Sequence, residues 1–156
     1  MTDLCERNAM WLRQSLHLLE MLDDRTFKNL AYRVSGHLRH IIEFYECFLE
    51  GLAARHIDYD ARRRDRALES SRLAAAMRVR SLIERLQSLQ SDGPLLVRAE
   101  DAEPYLSSSI GRELQSLSSH TVHHFALIAM SLRAMGIPVD EDFGVAPSTL
   151  RYRQAA

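Results

Sequence analysis

Three histidines lie within five residues in the segment SSHTVHHFALI, residues 118–128. An imidazole can bind a metal ion, act as a general acid or base, or make hydrogen bonds within a protein core. The chain has seven histidines among 156 residues, so this grouping directs attention to metal binding or proton transfer. The first question is which of these three imidazoles share one face of a helix.

Helical geometry separates the three histidines of this segment. His120 and His124 are four residues apart, so they lie about 40° apart on the helix and one turn along it. His123 lies about 60° away from His120 on the opposite side, farther from the apolar face. Two imidazoles one turn apart can bind one ion, at about 2.0–2.1 Å for zinc. We therefore predict that His120 and His124 point inward as a ligand pair.

A third ligand must come from another helix, and the segment SGHLRHIIEFYE offers His37 and His40. The apolar face of this segment favours His37 as the more buried residue. His120 is itself at the edge of an apolar face, however, and an ion near the mouth of a bundle could use His40 and keep an open coordination position. Spacing leaves both candidates open.

Glu113 precedes His120 by seven residues and lies close to the same line along the helix. It could accept a hydrogen bond from a ligand histidine, or act as a base toward metal-activated water. It is therefore the one weak candidate for a catalytic residue. A salt bridge with an arginine of a neighbouring helix is the interpretation that we favour, because a buried carboxylate needs a partner.

Long stretches with helical periodicity must position these side chains. Apolar residues recur at helical spacing in four segments, about 2–22, 34–54, 67–89 and 107–135. The segment LLVRA, residues 95–99, is predicted to be a short extended piece. We expect an all-α protein, a four-helix bundle with long connections in one domain covering residues 1–156. The tail, about 137–156, is expected to pack over the bundle without forming an element.

The charge balance argues against a nucleic-acid or membrane partner. The chain carries 20 basic and 21 acidic residues, a net charge of −1, and 46% hydrophobic residues. These numbers do not predict a strong positive potential that would attract polyanions. The two cysteines form no motif and no long apolar span is present. We therefore predict a reduced, cytoplasmic protein.

Two segments resemble a known family. HTVHHFALI resembles the H-x-x-H-H segment on the last bundle helix of the DinB-like (DinB/YfiT-type) metal-binding superfamily. VSGHLRHIIEFYE resembles the segment on its second helix, where an acidic residue follows the ligand histidine by three positions. Glu43 follows His40 in this way. The resemblance therefore implies the ligands His40, His120 and His124, with His37 and His123 as alternates.

The resemblance also implies a fold, a cofactor and partners. DinB-like proteins are four-helix bundles and frequent homodimers, and three histidines hold a divalent ion, namely zinc, nickel or an iron-group metal. Some members are metal-dependent thiol transferases or hydrolase-like enzymes that act on small-molecule or thiol substrates, and many have no known activity. The alternatives are a non-catalytic metal-binding or stress-associated protein whose ion has a fourth protein ligand, a helical dimer without metal, and a catalytic histidine without metal.

The segment YDARRRD, residues 59–65, places three arginines beside two acidic residues. Arginine forks bind carboxylates and phosphates, so the segment could form an anion-binding loop near the mouth of the site. A solvated or internally paired run of charges is the interpretation that the composition favours.

Overall fold

The structure, a computed structural model, describes residues 1–98 and 103–155. This part of the chain contains six α-helices: α1 (Thr2–Met21), α2 (Asp24–Lys28), α3 (Val34–Gly51), α4 (Arg72–Gln87), α5 (Ile110–Ala134) and α6 (Pro147–Ala155). A 3-10 helix covers Arg66–Glu69. Three strands complete the described elements: β1 (His56–Asp58), β2 (Pro94–Arg98) and β3 (Leu106–Ser109).

The prediction of an all-α four-helix bundle is wrong, because the three strands form a mixed sheet in the order β1-β2-β3. β1 is parallel to β2, and β2 is antiparallel to β3. The extended piece predicted at LLVRA corresponds to β2, although Ala99 lies outside the described residues. β1 and β3 were not predicted, because a strand of three or four residues is too short to show an alternation of apolar and polar residues.

The four predicted long helices are present, but their ends differ from the predicted ends. α1 packs against α4 and α5, and α3 packs against the same two helices. The third predicted helix begins later than expected, because its first turn is the separate 3-10 helix, and Ser71 caps α4. The fourth also begins later, because β3 occupies its predicted start and Ser109 caps α5 through the amide of Arg112. No helix of the described residues is both long and apolar enough to cross a membrane.

A buried polar network ties three of the long helices together. The Tyr45 hydroxyl of α3 donates to Asn8 Oδ1 of α1 at 2.6 Å. The Asn8 amide donates to the Leu114 carbonyl of α5 at 3.0 Å. The Thr121 hydroxyl of α5 lies 3.3 Å from the Tyr45 oxygen. Because buried polar groups need partners, this network restricts the rotation of α3 and α5 relative to each other.

The tail contacts α5 and then forms a helix, which the sequence did not predict. Phe143 is stacked on Phe125 with ring centres 4.6 Å apart. Gly144 has φ +76°, and a side chain there would lie 2.6 Å from the amide nitrogen of Ala126. A glycine is therefore required at this close approach. Pro147 begins α6, consistent with the preference for proline in the first helical turn.

Candidate metal centre

Three histidine side chains from two helices converge on one point. His120 Nε2 lies 3.1 Å from His40 Nε2 and 3.2 Å from His124 Nε2. One ligand atom of each of the three residues lies within 4.8 Å of the others. α3 contributes His40, and successive turns of α5 contribute the other two imidazoles. The structure thus brings together the three residues that the family resemblance implied.

The spacing of these nitrogen atoms fits a divalent ion. Zinc binds imidazole nitrogen at about 2.0–2.1 Å with tetrahedral geometry, so two ligand nitrogens on one ion are about 3.3 Å apart. The two measured separations, 3.1 and 3.2 Å, are close to that edge length. The three histidines can therefore hold a metal ion.

Burial keeps the three imidazoles neutral at physiological pH. It is the main cause that lowers the pKa of His40 to about 4, with repulsion from a charged His124 as the next cause. Burial, and then His40, lowers the pKa of His120 to about 4. Burial, and then His120, lowers the pKa of His124 to about 3. Neutral imidazole is the form that binds metals, so the site has the correct protonation state without an ion.

The two alternate ligands occupy different positions. His37 Nδ1 lies 2.9 Å from His124 Nδ1, so His37 contacts the ring nitrogen that faces away from His120. With a proton on His124 Nδ1, His37 accepts the hydrogen bond, and His124 Nε2 is left free to bind an ion. His123 is exposed, and its ring is tilted by 72° from the His124 ring, with ring centres 5.3 Å apart.

Phe44 packs against two of the three converging rings. Its ring centre lies 4.6 Å from that of His40 and 4.3 Å from that of His120, with which it is nearly parallel. His120 Nδ1 is buried and has no hydrogen-bond partner among the described residues. Packing against Phe44 therefore helps to orient this imidazole, whose Nδ1 makes no hydrogen bond within the described residues. The sequence contained this information, because Phe44 follows His40 by four residues and thus shares its helix face.

Glu113 is fixed by the sheet and not by an arginine. Its two carboxylate oxygens accept hydrogen bonds from the Tyr59 hydroxyl at 2.9 Å and from Ser108 Oγ at 2.5 Å. Within residues 1–98 and 103–155, Glu113 makes no salt bridge and no hydrogen bond to a histidine. The salt bridge that the sequence favoured is absent there. Tyr59 directly follows β1 and Ser108 belongs to β3, so the short strands that were not predicted position this carboxylate.

A cavity of about 510 Å³ lies beside the histidines, and its lining includes His40, His120 and Glu113. The carboxylate thus faces the same space as two of the three imidazoles. Tyr59 also lines this space, and sequence reasoning missed it because its partner lies 54 residues away. No periodicity connects positions so far apart in the chain.

Comparisons with known proteins yield one relative of limited extent. No family model matches the chain, and no solved structure matches it. The chain is similar to FK506-binding protein 5 of Rhizopus delemar, with 36% identity over 104 residues. The similarity covers 62% of this chain and 27% of that relative, so the chain spans about a quarter of the relative's length. The name of the whole relative therefore assigns no activity to this chain.

Metal-free protein is expected to lose stability as the pH falls from about 6.5 toward 5. The unfolded histidines have pKa values of about 6.5, whereas those of folded His40, His120 and His124 lie near 4, 4 and 3. In this window the unfolded state binds more protons, so the free energy of unfolding rises with pH and falls on acidification. Urea unfolding of chelator-treated protein at pH 7.5, 6.5, 5.5 and 5.0 measures the effect.

The source of this pH dependence can be tested in the histidine cluster itself. Replacing His120 by phenylalanine should flatten the curve, since one titrating group is then removed. A free energy of unfolding that stays constant from pH 7.5 to 5.0 in the unmodified protein would contradict the neutral histidine cluster.

Proposed function

We propose that this chain is a divalent-metal-binding protein of the DinB-like type, with His40, His120 and His124 as the ligands. The observation that carries the proposal is the convergence of three neutral imidazole nitrogens, two pairs of which are separated by 3.1 and 3.2 Å. The match of these positions to the family's histidine pattern supports the same assignment. Zinc, nickel and an iron-group metal are the candidate ions, as the resemblance implies.

We propose further that the site is enzymatic, as in a metal-dependent thiol transferase or a hydrolase-like enzyme. A divalent ion supplies Lewis acidity, which generates a nucleophile at neutral pH. The cavity beside His40 and His120 supports this proposal, because it offers room for a small-molecule substrate next to the ligands. Glu113 lines the same cavity as a fixed carboxylate, and in this proposal it accepts a proton from the attacking group.

The alternative is a non-catalytic metal-binding or stress-associated protein whose ion has four protein ligands. The observation that favours it is the nearby imidazole of His37, which lies 2.9 Å from the His124 ring. In this alternative, His37 supplies the fourth ligand nitrogen. A closed site of four protein ligands is typical of structural zinc, whereas catalytic zinc keeps an open position.

The two proposals are separated by elemental analysis and X-ray absorption on protein purified without a histidine tag. We expect about one ion per chain, three nitrogen ligands and at least one exchangeable oxygen ligand. Four nitrogen ligands without an exchangeable position would favour the non-catalytic alternative. Absence of bound metal, together with no rise in melting temperature on addition of zinc or nickel, would eliminate both and leave a metal-free histidine cluster.

A cytoplasmic location and a homodimer also belong to this proposal. Both described cysteines are free thiols, in keeping with a reducing compartment. Cell fractionation tests the location, and light scattering of the purified protein tests the dimer.

A further inference from the structure

The cavity beside the histidine cluster has a cationic group in its lining. Its volume of about 510 Å³ falls within the range of about 300–1,000 Å³ that is usual for small-molecule sites. Three apolar side chains, Phe44, Val97 and Leu117, and the guanidinium-bearing Arg62 line it together with the two histidines. The cavity can therefore accept a small molecule with an apolar part and a charged end.

Arg62 differs from the two arginines that follow it. Arg63 points to the surface and forms a salt bridge with Glu50 at 2.7 Å. Arg64 is exposed. Arg62 is half-buried, and its guanidinium carbon lies 4.7 Å from the centre of the Phe44 ring, the ring that also packs on the histidines. The expectation of a solvated or internally paired charge run therefore describes Arg63 and Arg64 but not Arg62.

The Arg62 guanidinium has hydrogen-bonding capacity that the fold does not use. Nη1 donates to the Tyr59 carbonyl at 2.7 Å. Nε is buried without a partner, and in the described ranges no carboxylate forms a salt bridge with this side chain. Burial, and then the charge of Arg64, lowers the pKa of Arg62. The carboxylates of Glu43 and Asp60 offset this only in part. An anion supplied by a ligand would therefore be favoured here.

The loop that carries Arg62 is held in place from both sides. The Asp65 amide donates to Glu43 Oε1 at 2.7 Å, and Glu43 is itself buried. The Tyr59 amide donates to the Arg98 carbonyl at 3.0 Å and extends the pairing of β1 with β2. Because its backbone is anchored before and after the arginine, the loop presents the guanidinium in a fixed position, which reduces the entropy cost of binding.

We propose that Arg62 binds the carboxylate of a small monocarboxylic acid whose apolar part lies against Phe44, Val97 and Leu117. A planar guanidinium forms paired hydrogen bonds with a carboxylate. Glu113 also lines the cavity, and its carboxylate disfavours a ligand that carries two or more negative charges. The contact between Arg62 and the carboxylate does not depend on a bound metal ion. The inference rests on the proposed metal function only for the other end of the ligand, which faces the histidines.

The test compares 3-phenylpropionate with its uncharged analogue 3-phenylpropanamide as probes. Dissociation constants are measured by NMR titration of the full chain, in chelator-treated protein and after addition of one equivalent of zinc. We expect the carboxylate to bind at least about ten-fold more tightly than the amide in both states, because one paired charge is worth about that factor. Arg62→Met should remove this preference, whereas Arg64→Met should keep it.

Several outcomes would overturn the assignment of Arg62. Equal affinity for the two probes would do so, as would equal losses in the Arg62 and Arg64 variants. Carboxylate binding that survives Arg62→Met and disappears on chelation would assign the carboxylate to the metal ion. Should Arg62→Met fail to fold, the Arg62 Nε–H signal of the unmodified protein decides: 3-phenylpropionate should shift it and the amide should not. The metal proposal is tested separately, by measuring the metal content of the unmodified protein.

Discussion

Replacing His120 by alanine is expected to lower the zinc affinity by more than about 100-fold. Losing only a hydrogen-bond partner of a ligand typically costs about 10–100-fold, and losing a ligand should cost more. His120 Nε2 is the nitrogen that lies next to both others, at 3.1 Å from His40 and 3.2 Å from His124. Without it, two imidazoles on different helices remain. Competition against a chromophoric chelator, with protein lacking a histidine tag, measures the change.

Two other histidines of the same helices provide graded controls for this experiment. His123→Ala should change the zinc affinity far less than His120→Ala does, because the exposed side chain is not one of the three converging ligands. His37→Ala should weaken binding by about 10–100-fold, because His37 contacts His124 Nδ1 and orients that ligand. If His37→Ala abolished binding while His40→Ala did not, the assignment of the third ligand would be wrong.

Replacing Arg39 by methionine is expected to lower the free energy of unfolding by about 3–5 kcal/mol. Arg39 Nη1 donates to both oxygens of Glu43, at 2.9 and 2.8 Å, and only 1% of the Glu43 side chain is exposed. Methionine retains most of the apolar length of the side chain but leaves the buried carboxylate without its counter-charge. Urea unfolding followed by circular dichroism measures the loss.

The double variant Arg39→Met with Glu43→Leu tests the cause of that loss. Removing both charges should recover part of the stability, because the uncompensated charge then disappears. Recovery should be incomplete, since the Asp65 amide also loses its acceptor on Glu43 and Glu69 loses its salt bridge with Arg39. An exposed pair is the matched comparison: Arg13→Met removes the surface salt bridge with Glu6 and should leave the free energy of unfolding nearly unchanged. A similarly small cost for Arg39→Met would contradict the importance of the buried pair.

Local periodicity was sufficient to predict much of the helical part of this protein. Apolar residues at helical spacing predicted the four long helices, because the period of 3.6 residues is a property of one segment alone. The same argument ranked His120 and His124 above His123, since the angle of a side chain around its own helix depends only on its position in the segment. The resemblance to DinB-like proteins added the choice of His40 over His37.

Other features were decided only when distant segments came together. Strands β1 and β3 pair with β2, which lies up to 40 residues away in register, and neither is long enough to show a pattern of its own. Glu113 obtains its partners from those strands, so the arginine expected from the sequence is not needed.

The arrangement of the histidines shows the same division between sequence and tertiary structure. From the sequence, spacing within α5 determined that His120 and His124 share one face. Only the packing of α3 on α5, with the Asn8–Tyr45–Thr121 network between helices, decided that His40 meets His120 and that His37 meets the far side of His124. The physical reason is that helical periodicity fixes the angle of a residue about its own axis, whereas the rotation of one helix against another depends on contacts between residues far apart in the chain.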